Sequence, residues 1–181
     1  MKNLIFAVFM LTPLGLYAAE FSKVQADKSS ITFVSKQMGV PVEGAFKKFT
    51  ALVRINTAKP EAGSAIMVVD LASIDAGGAE ANDEVKGKNW FNVAEFPKAE
   101  FVSGSVKSLG GGKFEAAGKM SIKGRSIEVR APITMKEENG VLNLDGTITL
   151  KRLEFDIGSG LWSDTSVVAD EVQIKFHLVL K

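Results

Sequence analysis

The chain has 181 residues, 46% of them hydrophobic and 24% charged, which suits one domain with a sizeable core and is short for two. Lys plus Arg total 22 against 21 Asp plus Glu with no dense basic run, which argues against phosphate-backbone binding and against nucleic acid as a partner. Cysteine is absent and histidine occurs once, which removes disulfides, thiolate nucleophiles, iron-sulfur sites, lipid attachment at an N-terminal Cys and multi-histidine metal sites within one chain.

Residues 1–19 have the layout of a secretory signal. Lys2 supplies a positive start, Leu4 to Leu16 an apolar run broken by Pro13 and Gly15, and Ala18-Ala19 a small-residue exit before Glu20. The run is shorter than the roughly 20 apolar residues that span a bilayer, so a cleaved signal is expected, cut after Ala18 or Ala19. The second cut removes Lys2 and Tyr17, the only tyrosine, leaving 21 basic residues against 21 acidic. The expected plan is a signal peptide over 1–19 and one domain over 20–181, working outside the cytoplasm.

Beyond that point the pattern alternates with a period of two, the mark of half-buried strands. Ile31, Phe33 and Ser35 alternate with Thr32, Val34 and Lys36; Ala51, Val53 and Ile55 with Leu52 and Arg54; and Ala65, Met67, Val69 and Leu71 continue the theme. One short helix is predicted over Ala79 to Lys88, where Glu84 and Lys88 stand at i and i+4 and Gly87 marks the end. Phe101, Ser103 and Ser105 suggest a further strand, turned back by Gly110-Gly111-Gly112.

The second half is cleaner. Phe114, Ala116, Gly118, Met120 and Ile122 share one face of a strand, and after a turn at Lys123-Gly124-Arg125 so do Ile127, Val129, Ala131, Ile133 and Met135. Asn139-Gly140 is a two-residue hairpin signal. It leads into Leu142, Leu144, Gly146, Ile148 and Leu150, and the last strand carries Val172, Ile174, Phe176, Leu178 and Leu180 inward with His177 on the polar face.

About eight antiparallel strands with short turns and one short helix predict an all-β fold, an up-and-down barrel whose closure removes the exposed edges. A two-sheet sandwich is the alternative. Ala116, Gly118, Ala131 and Gly146 fall mid-strand on the apolar face, with Gly44 and Ala51 as weaker members of the set. Small residues there, with no inward charge, predict an elongated apolar cavity; the same glycines would equally serve to bend strands at barrel corners.

Catalytic constellations are sparse. A Ser-His-Asp system would need His177, which the alternation places on the solvent face. Asp70, Asp75, Asp83, Asp156, Asp164 and Asp170 fall at strand ends and loops, where solvated caps are expected. Gly158-Ser159-Gly160 has no Gly three residues on and opens no predicted helix, so it is not a dinucleotide fingerprint. Trp90-Phe91 and Trp162 are large aromatics expected to plug the ends of the core, with ligand contact as the second role.

Ser35-Lys36-Gln37-Met38-Gly39-Val40 with Gly44-Ala45-Phe46, then Asp70-Leu71-Ala72-Ser73-Ile74-Asp75, then Trp90-Phe91 with Phe96-Pro97 and Phe101, resemble the YceI family of secreted lipid-binding proteins. The likeness continues through Gly118-Lys119-Met120-Ser121-Ile122-Lys123-Gly124, Lys151-Arg152-Leu153-Glu154-Phe155-Asp156-Ile157-Gly158 and Ala169-Asp170-Glu171-Val172, covering Phe21 to Leu180. Gln37 stands where many members have His, so no role of that His is carried over. The resemblance implies an extended, lipocalin-like eight-stranded antiparallel barrel in the bacterial periplasm. Its apolar tunnel would hold a polyisoprenoid, such as an isoprenoid quinone, or a similar long-chain amphiphile, for carriage, storage or sensing. The resemblance implies neither an enzymatic activity nor a required cofactor, and it leaves a homodimer open.

Burying apolar ligand surface returns roughly 25 cal/mol per Å², so a long tail can be held by area with little polar recognition. The expected lining is Phe33, Val53, Met67, Phe101, Phe114, Gly118, Met120, Leu144, Gly146, Ile148, Ile174 and Phe176, with Trp90, Phe91, Phe155 and Trp162 near the cavity ends. Arg152 and Asp83 adjoin these aromatics and are candidates for the mouth, against the plainer expectation of exposed loop charges. The alternatives are a solid barrel whose outer face binds a partner such as a membrane redox component, and an enzyme acting on an amphiphile inside the barrel.

Overall fold

The computed structural model describes residues 20–181; the expected signal segment 1–19 lies outside the described residues. The alternating segments form strands. Their ranges are β1 (Glu20–Phe21), β2 (Ser30–Gln37), β3 (Val40–Phe46), β4 (Phe49–Asn56), β5 (Ser64–Asp70), β6 (Ile74–Asp75), β7 (Lys98–Gly110), β8 (Lys113–Ile122), β9 (Arg125–Glu138), β10 (Val141–Lys151) and β11 (Glu171–Leu180), with one helix α1 (Ala79–Lys86) between β6 and β7. All the strand pairings are antiparallel, in the order β1-β4-β5-β7-β8-β9-β10-β11-β2-β3-β6.

The fold is therefore all-β and antiparallel with one short helix, as expected, and the expected eight-stranded up-and-down barrel is realised as one curled sheet of eleven strands. The three additions, β1, β3 and β6, carry no clean alternation. β1 and β6 have two residues each and are too short to show alternation, while Pro41 and Gly44 interrupt the strand signal of β3. Pro41 is tolerated because β3 lies near the sheet edge, with only β6 beyond it, opposite Ala45 and Phe46.

β3 and β4 are the last long strands at the two ends of the order, and no ladder joins them among the described residues. Two short segments tie those ends in. β1 pairs β4 through Phe21↔Ile55, and the chain then runs along β11, where Lys23 N donates to Lys181 O at 2.9 Å and Gln25 N to Val179 O at 2.8 Å. At the other end β6 returns the chain after β5 to the edge of β3. Closure by these straps leaves few free edges.

The faces follow the alternation. Ala131, Ile133, Leu142, Leu144, Ile148, Leu150, Leu178 and Leu180 are all buried in one core with Val53, Phe101 and Met120. Lys123-Gly124 and Asn139-Gly140 have positive φ at both residues (48° and 74°, 52° and 73°), the mirror-image turn whose twist matches the flanking strands. The β9–β10 ladder stops at Ile133↔Gly146, one residue short of Pro132, which has no N–H with which to extend it. Helix α1 ends at Lys86, two residues earlier than expected, with Gly87 N bonded to Glu84 O at 2.9 Å. The expected Glu84–Lys88 helical pair is replaced: Lys88 lies past the helix end, and Glu84 bonds elsewhere.

Candidate functional site

The barrel interior holds two chambers that share Ile31, Val69, Ala99, Met120 and Ile174 as lining, so they lie in series. The inner one is narrow, about 90 Å³, and is walled by Val53, Met67, Phe101, Met120, Leu144, Ile148, Ile174 and Phe176 among others. The outer one, about 480 Å³, is walled by Phe33, Trp90, Phe91, Phe155 and Trp162, with Ser35, Gln37, Glu80, Glu84 and Arg152 supplying the polar lining. The four large aromatics expected at the cavity ends thus gather at one end, between α1 and the loop after β10. Phe114 and Gly146 border a groove of about 590 Å³ that also takes in Thr147 and His177 from the polar face.

None of the mid-strand glycines Gly44, Gly118 and Gly146 lines either interior chamber, which corrects the expectation built on them. A Cβ at Gly146 would collide with the ring of its cross-strand partner Phe176 and come 2.8 Å from Ile133 Cγ2. A Cβ at Gly118 would collide with the backbone oxygen of Val102 and lie 2.8 Å from Phe101 Cζ, and one at Gly44 would collide with Phe33, again its cross-strand partner, and lie 2.5 Å from the Asp75 carbonyl oxygen. Each glycine is roofed by a phenylalanine, the arrangement by which an aromatic ring covers a backbone that has no side chain. None of the three has a positive φ. The requirement is for space alone.

Arg152 organises the open end. Leu150 points inward at the end of β10, so two residues on Arg152 continues the inner face, in a 3-10 turn over Arg152–Phe155. It is 3% exposed. Its five N–H groups all go to backbone carbonyls: Nε to Ala169 at 3.1 Å, Nη1 to Ile157 and Gly158 at 2.9 and 3.0 Å, and Nη2 to Trp162 and Val168 at 2.6 and 2.7 Å. Burial lowers its pKa from the ordinary arginine value and the charge of Asp170 pulls it back up. The expectation of an exposed loop charge is thus overturned, and with it the expectation of no inward charge. The signal was present in the alternation, which carries on one step past Lys151.

The aromatics stack on this hub. The guanidinium carbon lies 5.5 Å from the Trp90 ring centroid, and Trp90 and Trp162 lie 5.5 Å apart at 56°. Trp162 Nε1 donates to Glu84 Oε1 at 2.7 Å, tying the 160–163 turn to α1 across the opening. Phe91 meets Phe46 edge-on at 6.2 Å, and Phe46 meets Phe33 at 5.7 Å. The indole N–H of Trp90 and the Ser103 hydroxyl of the inner chamber are buried and have no hydrogen-bond partner among the described residues. Asp83, the other mouth candidate, is exposed on α1 and does not line the chamber.

Away from the interior, His177 sits on the polar face as expected, with Nδ1 2.7 Å from Asp145 Oδ1 on the neighbouring strand. Ser30 is its partner on the other side in register, with no side-chain hydrogen bond between the two among the described residues. Among the described residues no group of three or more His, Asp or Glu has metal-binding geometry, and no helix is long and apolar enough to cross a membrane.

Comparison with known proteins places this geometry. The family model for the YceI-like domain matches residues 23–180. A UPF0312 protein of Pseudomonas savastanoi pv. phaseolicola is 31% identical over 135 residues, 68% of each chain, and one of Shewanella sp. (strain W3-18-1) is 29% identical over 134 residues, 73% of this chain and 68% of its own. The crystal structure of Burkholderia cenocepacia BcnA superposes with a TM-score of 0.86 at 48% identity, covering 88% of this chain and all of that one. A polyisoprenoid binding domain from Saccharophagus degradans, implicated in plant cell wall breakdown, shares the fold at a TM-score of 0.67 and 16% identity, covering 91% and 99%.

Proposed function

The chain belongs to the YceI-like domain family, and on that premise we propose that it is a periplasmic binding protein. It holds a polyisoprenoid or similar long-chain amphiphile, with an isoprenoid quinone as one candidate, and acts by binding rather than catalysis. The observation that supports this most directly is the pair of chambers in series, apolar at the inner end and opening at an aromatic mouth. The fold neighbour from Saccharophagus degradans is named for that ligand class.

The tail would occupy the inner chamber and the polar end the mouth. At about 90 Å³ the inner chamber is too narrow for a long tail as it stands, but Met67, Met120 and Met135 line it. These unbranched side chains repack at low cost. Apolar area at roughly 25 cal/mol per Å² then supplies the affinity.

Purification from the native host, extraction with organic solvent and mass spectrometry of the extract tests the proposal. A ligand at 100 times its Kd stabilises by about 2.7 kcal/mol, so delipidation should lower Tm by roughly 5–11 °C for a chain of this size. An extract without amphiphile, together with an unchanged Tm after delipidation, would refute it. Intact mass on the exported protein should show removal of 18 or 19 residues.

A further inference from the structure

The charges and free hydrogen-bonding groups at the mouth define which polar end the cavity accepts. Glu80 and Glu84 on α1 line the outer chamber, and among the described residues Arg152 is its only cationic one. These charges are not equivalent. Both carboxylates are exposed at the rim, whereas the five N–H groups of Arg152 are consumed by five carbonyls of its own loop. The guanidinium cannot donate to a ligand without dismantling the mouth that it builds.

The remaining polar groups are neutral. Ser35 and Gln37, on the inward side of β2, line the chamber, and their side chains make no hydrogen bond among the described residues. Trp90 lines it too, and its buried indole N–H has no partner among the described residues. A hydroxyl, a carboxamide and an indole N–H suit an uncharged oxygen acceptor. A phosphate would meet two carboxylates and no uncommitted cation, and it would shed its hydration with nothing ionic in return.

Resting on the carrier reading above, we propose that the mouth selects amphiphiles with an uncharged oxygen head group, a hydroxyl or a carbonyl, and rejects those ending in phosphate. Glu80 and Glu84 are the rejecting groups. Ser35, Gln37 and Trp90 are the accepting ones.

The test uses the delipidated, signal-cleaved protein and three probes of comparable tail length: a long-chain prenol, the corresponding prenyl monophosphate, and squalene as a tail without a head group. Binding is read by tryptophan fluorescence and by thermal shift. The prenol should bind roughly tenfold or more tighter than the phosphate, a difference of about 1.4 kcal/mol. The Glu80→Gln, Glu84→Gln double variant should narrow that ratio by strengthening phosphate binding, and it keeps an acceptor for Trp162 Nε1. Ser35→Ala with Gln37→Leu should bring the prenol toward squalene without moving squalene itself.

Equal or tighter binding of the phosphate by the wild type would overturn the proposal while leaving the carrier reading intact. A prenol-to-phosphate ratio that the double variant leaves unchanged would overturn it as well. Failure of all three probes to bind would overturn the carrier reading instead, and the selectivity with it.

Discussion

Gly146→Ala adds a single methyl group, yet it should destabilise the protein and shorten the tunnel together. The new Cβ collides with the Phe176 ring and lies 2.8 Å from Ile133 Cγ2, and both neighbours are buried. Gly146 has no positive φ, so backbone strain is not involved. Overpacking of this kind costs about 1–3 kcal/mol, and a chain of this length loses roughly 2–4 °C of Tm per kcal/mol, so the melt should shift down by about 2–12 °C. The relief available to the ring is to swing off the wall into the inner chamber, which Phe176 lines. Long tails should therefore lose more affinity than short ones. Gly104→Ala is the control, because its Cβ would meet only Ala117 O, at 3.7 Å. Phe176→Leu in the Gly146→Ala background should recover part of the loss, a coupling that a double-mutant cycle reads directly. A Gly146→Ala protein with wild-type Tm and wild-type affinity for a long tail would refute the account of the glycines.

Arg152→Met should orphan five carbonyls, three of them in bonds that are wholly buried. At about 1–3 kcal/mol for each buried orphan, the loss is about 3 kcal/mol or more, seen as a lower Tm and new protease cleavage between residues 153 and 169. Arg152→Lys should not restore it, since an ammonium cannot fan five donors across a plane. Ser103→Ala removes an unpartnered buried hydroxyl and should leave Tm unchanged or slightly raised. The Asp164 carboxyl is held below its ordinary value, first by the Ser166 hydroxyl and then by backbone N–H bonds. Its contribution to holding the mouth loop is therefore present above the unfolded pKa and is lost as pH falls through the lower folded value. Carboxyl NMR titration should find its midpoint moved up in Ser166→Ala, and an unmoved midpoint would remove the hydroxyl as the cause.

The second half of the barrel is legible because its strands are long and alternate without interruption, and because two-residue turns with unmistakable chemistry join β8 to β9 and β9 to β10. Val40 to Phe46 is not, because a proline and a glycine break the alternation. What makes it a strand is its pairing with β2, seven residue pairs from Gln37↔Val40 to Ile31↔Phe46. The burial of Arg152 is hidden in the sequence for a different reason. Composition assigns an arginine beside Lys151 and Glu154 to the surface, and only its place in the inward register of β10 says otherwise. Its five acceptors come from residues 157, 158, 162, 168 and 169, a set that only the folded loop brings together. Glu84 likewise reads as half of a helical ion pair until Trp162, 78 positions away, takes its carboxylate.

The glycines show how a one-strand view inverts a cause. On one strand, an inward glycine marks missing volume, and three of them suggest a hollow. Across strands, Gly44 faces Phe33 and Gly146 faces Phe176, while Gly118 lies against Phe101. The volume that Gly44 and Gly146 omit is taken chiefly by a ring lying against the wall, and that of Gly118 by the Val102 carbonyl together with the Phe101 ring. A phenylalanine opposite a larger residue would have to stand away from the sheet, and in a barrel this narrow that direction is the lumen. Phe101 and Phe176 laid against the wall border the inner chamber, and Phe33 borders the mouth. The glycines therefore widen the interior at one remove, by setting where the rings lie, and the space that remains belongs to the axis of the barrel rather than to the glycine positions.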